Sequence, residues 1–433
     1  MWEFLPPQVR LRGAPRADER TARQLREDYE RFRDGLPRPL EPYVLATYAI
    51  NLASAYGGLR VKNPFGKASG QLSLAAHQVE KDAEAGLGFV VLKTVIAQDQ
   101  QGEQSMREWA IPETRMLVER VRGRSGEEGW TVTWKGRGWY ESFEAYRRLF
   151  DQALVLGRAA EMVVAPSVKY HLPTPQETSW KEEEYTFTTR ALVETWSKHS
   201  KGLPMPLEKD FSPTLAGSER ATQQTKILEW LERVPAFIHR AAPGKVCVGL
   251  KIFNTLFEDG FQLRMLEAIH APAAGESRAE FFVYANRLFD PAKSFEGKMG
   301  VAYGGPDLSE RNLSVLEKFL AGQGRPRDPA KLLPLSATGD IQSGRVAVEY
   351  LLRGASTFQM HTLFQLPDSE FAMKSGSKTE KALHRLLFHP QEGFLAWVLD
   401  LGRRLGWSSG LKVDEMAAWC RTNWNEVAQA LRD

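Results

Sequence analysis

Residues 335–362 read LSATGDIQSGRVAVEYLLRGASTFQMHT. An apolar run, 332–337, meets the turn Thr338-Gly339-Asp340, a helical segment follows over 344–353, and Gly354 hands the chain to a second apolar run ending in His361-Thr362. Strand, helix and strand in that order make a parallel unit, because two parallel strands need a crossover between them. The glycine turn offers backbone N–H groups at a helix start, an arrangement that binds phosphate without any side-chain charge. A glycine turn alone says little. A second polar loop directly after the next strand matches the phosphate site that β/α barrels build after strands seven and eight.

Working outward, the same texture recurs upstream. Residues 89–95 (FVVLKTV), 161–168 (EMVVAPSV), 246–253 (VCVGLKIF) and 281–285 (FFVYA) are further buried-strand candidates. Helical periodicity marks 74–85, 142–156, 183–198, 222–241 and 308–321 between them. Uninterrupted apolar strands are covered on both faces, which excludes a one-sided antiparallel sheet. With weaker runs at 64–69, 130–134, 207–212 and 357–360 there are enough candidates for the eight strands a barrel needs. The expected architecture is a (β/α)8 barrel over 58–411, with a helical N-terminal extension at 1–57 and a C-terminal helix at 412–433. Within the extension, 17–35 reads as a charged, solvated helix ending at Gly35, and 42–59 as core or interface packing.

Composition removes several function classes. A net charge of +3, from 57 Lys and Arg against 54 Asp and Glu, lacks the basic excess of a dedicated nucleic-acid binder. Cys247 and Cys420 are far apart, so no disulfide framework or four-cysteine zinc site is expected, and the compartment reads as reducing and cytoplasmic. The N-terminus MWEFLPPQVRLRGAPRADER lacks the apolar centre of a secretory signal. The uncharged stretch 42–59 is too short and too polar to span a membrane. No metal is expected, and the expected partners are a small-molecule substrate and, for assembly, a homodimer.

In a β/α barrel the chemistry sits at the C-terminal strand ends. Here those ends are Ala68-Ser69-Gly70, Lys93-Thr94, Thr133-Trp134-Lys135-Gly136, Ser212-Pro213-Thr214, Lys251, Asn286-Arg287, Gly339-Asp340 and His361-Thr362. A lysine ending an apolar strand is costly unless paired, so Lys93 and Lys251 either meet carboxylates at the rim or face an anionic or electron-rich ligand.

In this order the residues resemble the dihydroorotate dehydrogenases, flavin barrels that hold FMN. The resemblance runs from about Gly58 to Leu411. Asn63-Pro64-Phe65-Gly66-Lys67-Ala68-Ser69-Gly70 is similar to the family's first strand, whose backbone lies against the flavin. The stretch ending Leu92-Lys93-Thr94 is similar to the second, where the cytosolic branch places a lysine at flavin and substrate, and Gly102-Glu103 and Arg107 echo a Gly-Asn and Pro-Arg pattern. Lys251 resembles the flavin-contacting lysine, Gly304-Gly305 a loop near the ribityl chain, and Gly339-Asp340 and His361-Thr362 the phosphate loops. The resemblance implies substrate contacts from Thr133, Gly136, Thr214, Asn286 and Arg287. Asp340 departs from the family's pattern, and since an inward carboxylate would repel a phosphate its side chain is expected to point outward, with only its backbone N–H serving.

The family's base is a Ser or Cys in an Asn-x-Ser-Ser/Cys-Pro-Asn motif after strand four. Two candidates carry Ser here, Ser212 in Asp210-Phe211-Ser212-Pro213-Thr214 and Ser167 in Ala165-Pro166-Ser167. Ser212 stands 39 residues before Lys251, room for one helix, whereas Ser167 stands 84 before it. The resemblance therefore assigns Ser212 as base, with Lys93 and Lys251 stabilising charge, and makes 162–167 strand three. The implied activity is FMN-dependent oxidation of a CH–CH bond, dihydroorotate to orotate in pyrimidine biosynthesis. Because Thr214 and Thr133 replace amides of the motif, two alternatives stand beside it: another dihydropyrimidine or enone substrate on the same flavin, or a barrel without a base that serves as a binding or scaffold subunit. No cysteine cluster is present to carry an iron–sulfur centre.

Overall fold

Eight parallel strand positions close on themselves in the computed structural model, which describes residues 6–134, 138–211, 222–271, 278–295, 297–322, 331–407 and 410–431. They are β1 (Phe65–Lys67), β2 in two pieces (Phe89–Val91 and Val95–Ile96), β3 in two pieces (Val163–Ala165 and Ser167–Lys169), β4 (Met205–Asp210), β5 (Val246–Phe253), β6 (Phe281–Asn286), β7 (Leu335–Thr338) and β8 (Ala355–Met360). Each pairs in parallel with the next, and β8 returns to β1 with Phe358 opposite Phe65 and Met360 opposite Lys67. The crossovers carry α1 (Ala76–Glu84), α2 (Phe143–Ala159), α3 (Glu182–Ser197), α4 (Gln224–Ala241), α5 (Asp259–His270), α6 (Pro306–Leu320) and α7 (Gly344–Leu352). The chain is a TIM barrel, as the alternation of apolar runs and helical periodicity requires.

The two broken strands have a local cause. Pro166 has no N–H to give to the ladder, so the β2–β3 pairing lapses there and resumes at Val168 opposite Val95. The lapse falls where Lys93 and Thr94 leave the strand, and both side chains enter the barrel mouth.

The barrel's lower end is plugged by the hairpin Ser54–Tyr56/Leu59–Val61. Its two-residue turn, Gly57-Gly58, has φ of 54° and 77°, the double positive φ that matches a tight hairpin to strand twist. A Cβ on Gly57 would lie 2.4 Å from Pro206 Cβ. The turn delivers Tyr56 into the interior, stacked on Phe89 at 4.4 Å between centroids. The uncharged stretch 42–59 therefore packs as core, partly as the helix Leu40–Tyr48.

Three expectations need correction. Residues 130–134 are not a barrel strand: they belong to the antiparallel hairpin Met116–Arg122/Glu128–Trp134, which folds over the mouth. The helix α5 has no counterpart among the helical segments read from the sequence, although Phe261, Met265 and Ile269 recur at helical spacing on its buried side. The charged N-terminal helix, Glu19–Arg31, is capped by Asp18 but is not a solvated rod. It buries Leu25 and Asp28, with the Asp28 carboxylate accepting from the Tyr43 and Tyr48 hydroxyls, and it docks on the helix Lys378–Phe388 through a Tyr29–His384 stack at 4.7 Å. Strand Ile50–Asn51 pairs with Leu411–Lys412, tying the extension to the tail. Among the described residues no helix is long and apolar enough to cross a membrane.

Candidate active site

The strand ends converge on a cavity of about 590 Å³. Its wall takes Ala68 and Ser69 from the end of β1, Lys93 and Thr94 from β2, Asp210 from β4, and Lys251, Phe253 and Asn254 from β5. Asn286 and Arg287 follow from β6, Gly339 and Asp340 from β7, and Gln359, His361 and Thr362 from β8. Thr133 and Trp134 descend from the first roof hairpin. A second hairpin, Leu288–Phe295/Lys298–Tyr303, covers the opposite side. Gly304 and Gly305 lead from it into α6 and also line the cavity. The volume lies within the roughly 300–1,000 Å³ of small-molecule sites.

Below the cavity is a fully paired ionic layer. Glu208 of β4, buried, receives Lys251 Nζ at 3.0 Å, the Tyr56 hydroxyl at 2.9 Å and Gln359 Nε2 at 2.8 Å. Lys251 thus meets a carboxylate and still lines the cavity.

The next layer is a chain of hydroxyls. Thr94 Oγ1 donates to Asp210 Oδ2 at 3.2 Å, and it lies 2.8 Å from Ser69 Oγ and 3.0 Å from Ser167 Oγ. Thr94 has one proton and gives it to Asp210, so both serines donate to Thr94. Beside them burial pushes the Lys93 ammonium down to about 7, against the pull of Asp210 and helped by repulsion from Lys251 and Lys169.

Four residues of this cavity carry a buried polar atom without a partner among the described residues: Thr133 Oγ1, Asn254 Oδ1, Gln359 Oε1 and both ring nitrogens of His361. Buried polar groups are nearly always paired, with protein, water or a ligand. Burial, reinforced by the charges of Arg287, Lys93, Lys67 and Lys251, holds His361 well below its usual pKa and hence neutral at pH 7. Gly70 lies behind it, since a Cβ there would come within 2.5 Å of the His361 ring.

Two residues do something other than expected. Asp340 was expected to face outward, but its carboxyl is held inside, accepting from Ser309 Oγ at 3.0 Å and from Gln342 Nε2. Burial raises its pKa to about 8, so at pH 7 it is mainly a neutral acid and does not oppose an anion. The Arg287 guanidinium donates to the carbonyls of Ala302 (2.8 Å) and Val132, one in each roof hairpin, and lies 4.0 Å over the Trp134 ring. It bolts the roof together. Trp134 in turn packs on His361 at 4.8 Å between centroids. Arg107 does not line the cavity, whereas its neighbours Glu108 and Trp109 do. Ser212, Thr214 and Gly136 lie outside the described residues, which resume at Thr222 after Phe211 and at Gly138 after Trp134.

Asp210, Asn254 and Gln359 are cavity residues that sequence reasoning did not select. Gln359 carried a usable signal, a lone amide in the otherwise apolar end of a strand. Asp210 was seen only as a worn motif position.

Barrel topology, a plugged lower end and a roofed mouth cavity define a β/α barrel with the fold of the dihydroorotate dehydrogenases. Among solved structures, a dihydroorotate dehydrogenase from Eimeria tenella, crystallised with ferulenol, is similar at a TM-score of 0.50 and 13% identity, covering 85% of this chain and 88% of that one. No family model matches the sequence, and no curated protein matches it.

Proposed function

We propose that the protein is an FMN-dependent oxidoreductase acting on a CH–CH bond beside a carbonyl, with dihydroorotate the first substrate to test. The observation that carries this reading is one cavity at the strand ends, lined by Ser69, Lys93, Thr94, Lys251 and Asn286 between the glycine loops at 304–305 and 339–340. Asn254 and Gln359 also line it and would supply amide groups to the polar edge of a flavin ring. Gly304 is an open cradle, because a Cβ there would meet nothing closer than 3.7 Å. The loops at Gly339-Asp340 and His361-Thr362 would take the phosphate, with Asp340 and His361 both neutral at pH 7.

When bound, FMN supplies the two-electron acceptor, and the protein positions it and moves the proton. Ala68, Ser69 and Lys251 would hold the ring, with Lys251 kept in place by Glu208. Ser69 would take the substrate proton and pass its own through Thr94 to Asp210, along the 2.8 and 3.2 Å steps. This chain supplies the carboxylate that a lone serine lacks as a base. Ser212 remains the second candidate for that role. Lys93, near neutrality at pH 7, could stabilise negative charge on the product in its protonated form. The site's small-molecule character and the two unpaired cysteines fit a cytoplasmic enzyme.

The test is a flavin absorbance spectrum of the purified protein, with dihydroorotate added in the absence of oxygen. Stoichiometric FMN uptake and bleaching support the reading. A protein that takes up no FMN overturns it.

A further inference from the structure

The cavity has two chemically different halves. Its inner half, at the strand ends, is polar: Ser69, Lys93, Thr94, Asp210, Lys251 and Asn254. Its outer half is walled by Trp109 and Ile111 on one side and by Phe289, Phe295, Met299 and Val301 of the second roof hairpin on the other. Among the described residues Met299 is the most exposed large apolar side chain, at 68%. A single exposed methionine needs no explanation, but one that completes an apolar wall inside a ligand cavity does.

The outer half is also poorly suited to a small, wholly polar ring acid. Its charged side chains among the described residues are Glu108, which would repel a carboxylate, and Arg287, whose guanidinium is engaged with two roof carbonyls and Trp134. The wall is continuous with the polar floor in one cavity of about 590 Å³, so a molecule reacting at the floor has room to extend along it.

We infer that the substrate is a conjugated or dihydro ring bearing an apolar substituent of about phenyl size, with the ring on the polar floor and the substituent between Ile111, Phe295 and Met299. This rests on the oxidoreductase reading for which end of the molecule reacts. It does not rest on it for the existence of the wall.

The experiment compares matched ligands, uracil against benzyluracil and cyclohexenone against phenylcyclohexenone, by calorimetry on the flavin-loaded protein. If no flavin is taken up, which by itself defeats the flavin reading, the same pairs are titrated on flavin-free protein by quenching of tryptophan fluorescence, since Trp109 and Trp134 line the cavity. Burying a phenyl group against this wall should tighten binding by about tenfold or more in at least one pair. Met299→Asp should shrink that ratio about fivefold, and so should Phe295→Ser. Met299 is largely in solvent, so the first variant keeps its fold. Equal affinities within both pairs, no binding by any of the four, or a ratio unmoved by either variant would overturn the inference. A wall already covered by another part of the chain would give the first of these results.

Discussion

Two polar layers lie one above the other inside this barrel, and they differ in one respect. In the lower layer Glu208 is satisfied by Lys251, Tyr56 and Gln359 Nε2, all from the protein. In the upper layer Thr133, Asn254, His361 and the Gln359 carbonyl oxygen each leave a buried polar atom without a partner among the described residues. Both layers are costly to bury, but only the lower one is closed within the chain. The lower layer is scaffold, and under the proposed function the upper is half of a site whose other half is a ligand. Gln359 belongs to both, with its amide nitrogen on Glu208 and its side chain in the cavity lining.

The largest effect expected from breaking this contrast is on the scaffold. Glu208→Gln keeps shape but leaves the Lys251 ammonium buried without its carboxylate, a loss of about 3–5 kcal/mol in stability by urea unfolding. A loss below about 1 kcal/mol would mean that Lys251 is compensated from the cavity side, and the two layers would not be separate. Asp210→Asn attacks the upper layer. It should slow flavin reduction by about 10²-fold or more while FMN affinity changes less than threefold, because removing a general base costs that much. If Ser212→Ala gives the large loss and Asp210→Asn does not, the proton leaves by the loop after β4.

The lower layer was harder to read from sequence than the upper. Seven of the eight strand ends could be placed because apolar runs and glycine turns are local signals, and most of the residues chosen from them do meet in one cavity. Glu208 was invisible for the opposite reason: its partners Tyr56, Lys251 and Gln359 are 152, 43 and 151 residues away, and only closure of the barrel brings them together. Residues 130–134 misled because an apolar, β-branched hairpin strand has the same period as an edge of the barrel. Arg287 misled because its carbonyl partners, Ala302 and Val132, leave no mark on side-chain patterns.

Two groups that line the cavity respond to pH in opposite senses. Lys93 titrates near 7 in the folded protein, far below its usual value, so between about 7 and its ordinary 10.5 the unfolded chain binds a proton that the folded one does not. Stability from this group therefore rises with pH across that window, by about 1.4 kcal/mol per unit. Asp340 has the reverse sign: raised to about 8, it costs stability as pH rises from its usual 3.8 to 8 and adds no slope above that. The difference in unfolding free energy between wild type and Lys93→Met should thus change most between pH 8 and 10. A flat difference would place the Lys93 amine in contact with more negative charge than Asp210 provides. For Asp340 the matching measurement is flavin affinity. Wild-type affinity should fall about tenfold between pH 7 and 9 as the carboxyl ionises near the phosphate, and Asp340→Asn should abolish the fall.

The smallest stability effect separates the glycines of scaffold and site. Gly339 has φ of 112° and a Cβ there would lie 2.5 Å from Asn312 Nδ2, so the protein itself demands glycine. Gly305 is similar, with φ of 94° and Val121 at 2.5 Å. At Gly304 φ is not in the left-handed region, and the nearest atoms to an added Cβ are Thr131 Oγ1 at 3.7 Å and Leu308 Cδ2 at 3.8 Å. Nothing among the described residues excludes a methyl group there. Gly304→Ala should therefore leave stability within about 0.5 kcal/mol of wild type, while FMN affinity falls by about tenfold because the methyl group occupies cavity space. Unchanged affinity would show that the ligand does not reach this wall, and the glycine loop before α6 would then have to be assigned to the roof.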